Sequence, residues 1–176
     1  MKSILFNTEM VQAILSGNKT QTRRVKKSDN QPYKVGDILY VRETWNINNI
    51  YKETSDEELY YIVFKYKADD SLNKVSVSKD FYYKYKNTMV ENNPEWKPSI
   101  HMPKEAARIF LKVKDIRVER LQDIDDEGVV AEGLKIGDPF DDIWNNTIPK
   151  KSSQFNWENN PFVWVIEFEN IKESNK

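Results

Sequence analysis

The chain has 176 residues, with 27 Lys or Arg against 28 Asp or Glu, a single His and no Cys. Without thiols there is no disulfide framework, thiolate metal centre or cysteine nucleophile, and one His cannot build a multi-histidine metal site, so the expectation is neither metal nor cofactor. No run approaches the ~20 apolar residues of a membrane span, and the apolar start of the chain is too short for a signal peptide. The reading is a soluble, cytoplasmic protein of one domain, with no membrane partner.

Residues 2 to 6 are a short strand-like run, and Asn7 or Thr8 can cap a helix over residues 9 to 16. There Val11, Ile14 and Leu15 share one face, and Gly17 is a natural C′ stop. Residues 19 to 25 read as extended chain leaving the helix end. Pro32 and Gly36 mark a turn before a strand at residues 38 to 42. From residue 43 to about 104 the pattern loosens into an insertion or long loops with one or two strands, the best at residues 60 to 66; Tyr82, Tyr83 and Tyr85 read as exposed. Residues 107 to 121 form a long strand whose apolar phase slips near Asp115, as a β-bulge would cause. Asp123 or Asp125 can cap an acidic helix running to about Glu132 and ended by Gly133. Residues 162 to 168 are apolar on both faces except at Glu167, which predicts a central strand with Trp164 in the core. Together these elements predict an α+β fold, a small, partly closed, mostly antiparallel β-barrel with short flanking helices and a loop-rich insertion.

The overall charge of −1 conceals a separation. Residues 1 to 40 carry seven basic and three acidic side chains, a net of +4, whereas residues 121 to 143 carry one basic and eight acidic, a net of −7. The basic stretch contains Gly17-Asn18-Lys19-Thr20-Gln21-Thr22-Arg23-Arg24. Alternation points Thr20, Thr22 and Arg24 one way and Lys19, Gln21 and Arg23 the other, although Lys19 follows the Gly turn, where strict alternation lapses. A lysine folded into a pocket beside Arg24 is desolvated and next to a like charge, and both effects lower its pKa toward general-base duty. Thr22 then has the chemistry of an oxygen nucleophile with a lysine base. On the residues alone, the simpler reading of the same stretch is a solvated basic loop with a Thr-rich strand.

Gly17, Lys19 and Arg24 match three positions of the Gly-x-Lys-x-x-Glu-x-Arg motif, and the chain resembles the ASCH domain family, small barrels of the PUA-like superfamily. The segments 36 to 45, 96 to 112 and 160 to 168 are similar to those of phage and prophage members. The likeness covers about 110 residues and leaves 46 to 95 and 136 to 158 largely outside, as insertions. Thr22 stands at the family's Glu position, and Gly17-x-Lys19-Thr20-x-Thr22-x-Arg24 is similar to the branch of the N4-acetylcytidine amidohydrolase. That resemblance implies Lys19 as proton acceptor, Thr22 as nucleophile and Glu132 as proton donor, with a modified cytosine nucleoside or RNA as partner. Arg24, Thr20, Arg23, Trp45 and His101 are the candidate substrate-binding residues: Arg24 for the oxyanion, the basic segment for phosphate, Trp45 to stack on a base. Each has a structural alternative, Arg24 as an ion-pair partner of Glu43 or Asp37, Trp45 as packing under the insertion, His101 as a cap. Two other functions fit the sequence, a non-catalytic RNA or modified-base binding domain and a phage accessory protein whose insertion binds a host protein.

Overall fold

The computed structural model describes residues 1–54, 58–86 and 95–171. In chain order the elements are β1 (Lys2–Leu5), α1 (Thr8–Leu15), β2 (Gln21–Val25), β3 (Ile38–Arg42), β4 (Trp45–Thr54), β5 (Glu58–Tyr66), β6 (Leu72–Val77), α2 (Lys79–Lys86), β7 (Phe110–Arg120), α3 (Asp126–Ala131), α4 (Phe140–Thr147) and β8 (Phe162–Ile171). The architecture is α+β with short helices, as expected. The strands make a five-stranded sheet in the order β1-β3-β7-β8-β2 and a three-stranded sheet in the order β4-β5-β6. The pairings β2 with β8, β7 with β8, β4 with β5 and β5 with β6 are antiparallel. The partly closed barrel predicted from the sequence is corrected: neither sheet closes. β1 and β2 form opposite edges of the larger sheet, and β2 stops at Val25, where bends and turns begin and no further ladder forms.

The chain divides into two compact units, the first made of Met1–Lys2, Ala13–Leu39 and Phe110–Lys176, the second of Ser3–Gln12 and Tyr40–Ile109. In the first, β8 lies between β7 and β2, the central position expected of its apolar run. The predicted bulge is present, because the β7–β8 register shifts between Val113 and Asp115. Val163 and Val165 pack with Leu121 and Trp144, and Phe140, Ile148 and Trp157 close around them. Residues 136 to 158, which the sequence set apart as an insertion, therefore supply half of this core. The next side chain on the other face, Trp164, is only half-buried, with Lys26 Nζ 5.7 Å from its ring centroid; it is not the core residue the apolar pattern implied.

Within the second unit, the described residues between 43 and 104 hold more regular structure than their sequence suggested, the strands β4, β5 and β6 and the helix α2. β4 escaped the pattern because its register shifts between Ile47 and Asn49, so one alternation phase never runs its full length. Trp45, Ile62, Phe64, Tyr66, Met102 and Ala106 form its core, with Phe81 and Tyr85 of the α2 face against it. Tyr82 is buried and Tyr85 half-buried, which leaves Tyr83 as the exposed aromatic of the three. Within this core region Arg108 grips the buried Glu43 carboxylate with Nε and Nη2, both at 2.8 Å, and stacks 4.0 Å over the Tyr66 ring. Burial pushes the Glu43 carboxyl above its usual range and Arg108 opposes that push. Of the predicted insertion at 46 to 95, positions 55–57 and 87–94 lie outside the described residues. No described helix is long and apolar enough to cross a membrane.

Candidate functional site

Two glycine turns in the first unit, at Gly17 and Gly133, bring the site together. α1 ends at a Gly17 with φ +80°, and the chain returns so that the Lys19 N–H donates to the Ala13 carbonyl at 3.0 Å. The Thr20 N–H then donates to the Ala131 carbonyl, and the Thr20 carbonyl accepts from the Phe168 N–H, both at 2.9 Å. These two bonds fix the start of β2 between α3 and β8. α3 itself is delimited by its caps. The Asp125 carboxylate accepts from the Gly128 N–H at 2.8 Å, as an N-cap should. At the other end Gly133, at φ +86°, donates to Val130 O and Leu134 donates to Val129 O, the paired bonds of a Schellman motif. Glu132 is the C-cap, and Lys19 and Glu132 face each other in an isolated antiparallel bridge.

Gly133 is required here for two reasons. Its φ of +86° is one that L side chains rarely adopt, and a Cβ would sit 2.7 Å from Ala13 Cβ and 2.9 Å from Lys19 Cβ. The absence of a side chain is thus what lets α1, Lys19 and the end of α3 meet.

Lys19 and Glu132 are 3% and 6% exposed. Lys19 Nζ donates to Glu132 Oε2 at 2.6 Å and to the Glu132 backbone carbonyl at 2.8 Å. Burial lowers the Lys19 pKa; contact with Glu132 opposes the shift, and the like charges of Arg24 and Arg23 assist it. The carboxylate's other oxygen, Oε1, accepts from Arg23 Nη1 at 3.3 Å. Arg23 Nη1 also donates to Gln21 Oε1 at 2.8 Å, and Nη2 to Glu119 Oε2 at 3.3 Å. The network continues across the sheet, since Gln21 donates to Glu167 at 3.0 Å and Arg117 bonds both Glu119 and Glu167. The result is a line of side chains on one face of β2, β8 and β7, with the Lys19–Glu132 pair at its buried end.

Among the sequence-derived candidates, Lys19, Arg23 and Glu132 are brought into direct contact. Thr22, 2% exposed, pairs across from Ile166 in the β2–β8 register, and alternation gives it and Arg24 the opposite face from Gln21 and Arg23. Arg24 is half-buried, its pKa lowered by burial and raised by the charges of Glu132 and Tyr33. Its alternative partners are engaged elsewhere, Glu43 by Arg108 and Asp37 by Lys2 at 4.0 Å. The Thr20 side chain is exposed, so its part in the site is the backbone clamp. Trp45 and His101 belong to the second unit. There Trp45 is 1% exposed, edge-on to Tyr85 and tilted against Phe64, which matches its packing alternative rather than a stacking platform. His101 closes the 3-10 turn Ser99–His101 with its side chain exposed.

Gln21, Arg117, Glu119, Glu167 and Gly128 were not singled out from the sequence. The alternation of Asp115, Arg117 and Glu119 along β7 was the available signal for a charged face. Gly128 lies so close to Arg23 that a Cβ there would stand 3.1 Å from Nη2. Among the described residues no group of three or more His, Cys, Asp or Glu is placed to hold a metal ion.

No family model and no curated protein sequence matches the chain. A solved structure does: protein EF3133 from Enterococcus faecalis V583, carrying the family description DUF984, is similar with a TM-score of 0.51 and 10% identity over 98% of this chain and 77% of that one. At that identity the likeness extends to the fold alone.

Proposed function

We propose that the chain is an amidohydrolase that removes an acyl group from the exocyclic amine of a modified cytosine nucleoside of the N4-acetylcytidine type. The observation that carries this reading is the 2.6 Å contact between Lys19 Nζ and Glu132 Oε2, formed across 113 positions of sequence by the two groups to which the resemblance gives the roles of proton acceptor and proton donor. The resemblance to the ASCH family, in the amidohydrolase branch, supplies the substrate class.

In this mechanism neutral Lys19 takes the proton of the attacking oxygen, the Thr22 hydroxyl or a water. The oxygen bonds to the acyl carbon, and Arg24 steadies the developing oxyanion. Lys19 passes that proton to the Glu132 carboxylate through their direct contact, and the carbon–nitrogen bond breaks as Glu132 hands it on to the departing amine, which leaves Lys19 neutral and Glu132 ionised as at the start; on the Thr22 route water then hydrolyses the ester. A desolvated lysine with a lowered pKa suits the first step.

The test is incubation with a panel of acylated nucleosides, read by mass spectrometry. Release of the carboxylic acid and free nucleoside by the wild type, abolished in folded Lys19→Met and Glu132→Gln, is expected; no turnover of any member refutes the proposal. Thr22→Ala separates the routes, since retained turnover assigns the attack to water. A second reading, an RNA or modified-base binder, is favoured by Lys26 over the half-buried Trp164 ring with Arg24 in register beside it. It requires RNA affinity that falls as salt rises and with Arg24→Ala.

A further inference from the structure

The sequence placed Arg23 among residues that would meet substrate phosphate. At 4% exposure its guanidinium is instead an internal group, bonded to Glu132, Gln21 and Glu119, with Nε buried and without a hydrogen-bond partner. Glu132 therefore has a cationic partner on each oxygen, Lys19 on Oε2 and Arg23 on Oε1. This matters for what Lys19 can do. Removing one member of a buried ion pair strands the other charge in a medium that solvates it poorly. Were Lys19 the sole partner, its conversion to the neutral amine would strand Glu132. With Arg23 in place, the carboxylate keeps a charged, hydrogen-bonded partner in either protonation state of Lys19.

We propose that Arg23 is a positioning residue that anchors Glu132 and so permits Lys19 to rest as the neutral amine. The proposal deepens the hydrolase reading, on which the use of that amine as a base rests. The charged groups that act on Lys19 are Glu132 from the end of α3 and Arg23 and Arg24 from β2. Behind Arg23 stands Glu119 from β7, itself bonded by Arg117. Taking away the Arg23 charge removes a like charge near Lys19 and leaves Glu132 dependent on it, and both effects hold the proton on Lys19 to higher pH. Taking away the Glu119 charge leaves Arg23 less compensated, which releases the Lys19 proton at lower pH.

The experiment is a carbon-13 NMR titration of the lysine Cε signals in the full chain, the Lys19 signal being the one absent in Lys19→Met. The expected result is an upward shift of the Lys19 titration in Arg23→Gln, a smaller one in the charge-conserving Arg23→Lys, and a downward shift in Glu119→Gln. A Lys19 titration in folded Arg23→Gln at or below the wild-type position overturns the proposal. If Arg23→Gln does not fold, an unmoved or upward-shifted titration in Glu119→Gln overturns it. Because the signal reports protonation without turnover, the two readings fail separately. Shifts of the expected sign in a chain that hydrolyses no acylated nucleoside uphold the role of Arg23 and remove the hydrolase. Turnover with an unmoved Lys19 does the reverse.

Discussion

Replacing Gly133 with Ala tests the close approach of α1, Lys19 and α3. Two costs add. The φ of +86° places the new residue in the left-handed region, worth about 1–2 kcal/mol. The new methyl would then lie 2.7 Å from Ala13 Cβ and 2.9 Å from Lys19 Cβ, about 1 Å inside ordinary carbon–carbon contact. Neither neighbour is the tip of a flexible side chain, so backbone must move, an overpacking cost of about 1–3 kcal/mol. The total is about 2–5 kcal/mol. Gly137→Ala is the control, since its φ is +91° but nothing lies within 4 Å of its Cβ position, which leaves the conformational cost alone. Urea unfolding of both variants at pH 7 should therefore place Gly133→Ala about 1–3 kcal/mol below Gly137→Ala, roughly 2–12 °C in Tm for a chain of this size. In the hydrolase reading, displacing Lys19 by about 1 Å also lowers turnover on the order of 100-fold. Equal stability of the two variants would refute the argument that bare backbone is what admits Lys19.

Three other outcomes follow from buried charge. Because burial holds Lys19 below its ordinary 10.5, the unfolded chain binds more protons between the lowered value and 10.5. The stability of the wild type relative to Lys19→Met should therefore rise with pH across that window and level off above it, measured by urea unfolding at successive pH values; a falling difference contradicts the assignment. In the second unit, Arg108→Met should cost about 3–5 kcal/mol by stranding the Glu43 carboxylate, and the double variant Glu43→Leu with Arg108→Met should recover most of that loss. A double variant no more stable than the single one would count against a stranded charge as the cause. Burial pushes the Tyr66 hydroxyl, which donates to the Ala106 carbonyl at 2.7 Å, up to about 12. The folded chain then binds more protons than the unfolded one between 10 and 12, so stability falls there as pH rises. A spectrophotometric titration at 295 nm should show a late tyrosine component that Tyr66→Phe diminishes; an unchanged late component would refute the placement.

Local signals announced much of the first unit. Asp125 and Gly133 delimit α3 because a cap needs a side-chain acceptor at one end and a positive φ at the other, and both are written as residue types. The phase slip near Asp115 announced the bulge in the same way. Alternation even grouped Lys19, Gln21 and Arg23 on one side. What it could not tell is which side is buried. Arg23 looked like a surface cation because its cover, α3 with the bare Gly128 against its guanidinium, comes from more than a hundred positions away. For the same reason Trp164 reads as core and Trp45 stays divided between stacking and packing, since their own strands are apolar or polar irrespective of what another segment lays over them. In the second unit the bulge at Ile47 and Asn49 broke the period-two pattern that identifies a strand.

The placement of β8 has a consequence for how the chain is made. Gln21 of β2 bonds Glu167 of β8 across 146 positions, and β8 is the strand on which both β2 and β7 assemble. At ribosomal rates of about 5–20 residues per second, the basic segment that starts at Gly17 waits on the order of 10 s for its pairing strand to emerge. For that interval Lys19, Arg23 and Arg24 are three solvated charges on an unpaired stretch, and the same repulsion that later tunes the lysine keeps the nascent strand from pairing with a neighbouring copy of itself.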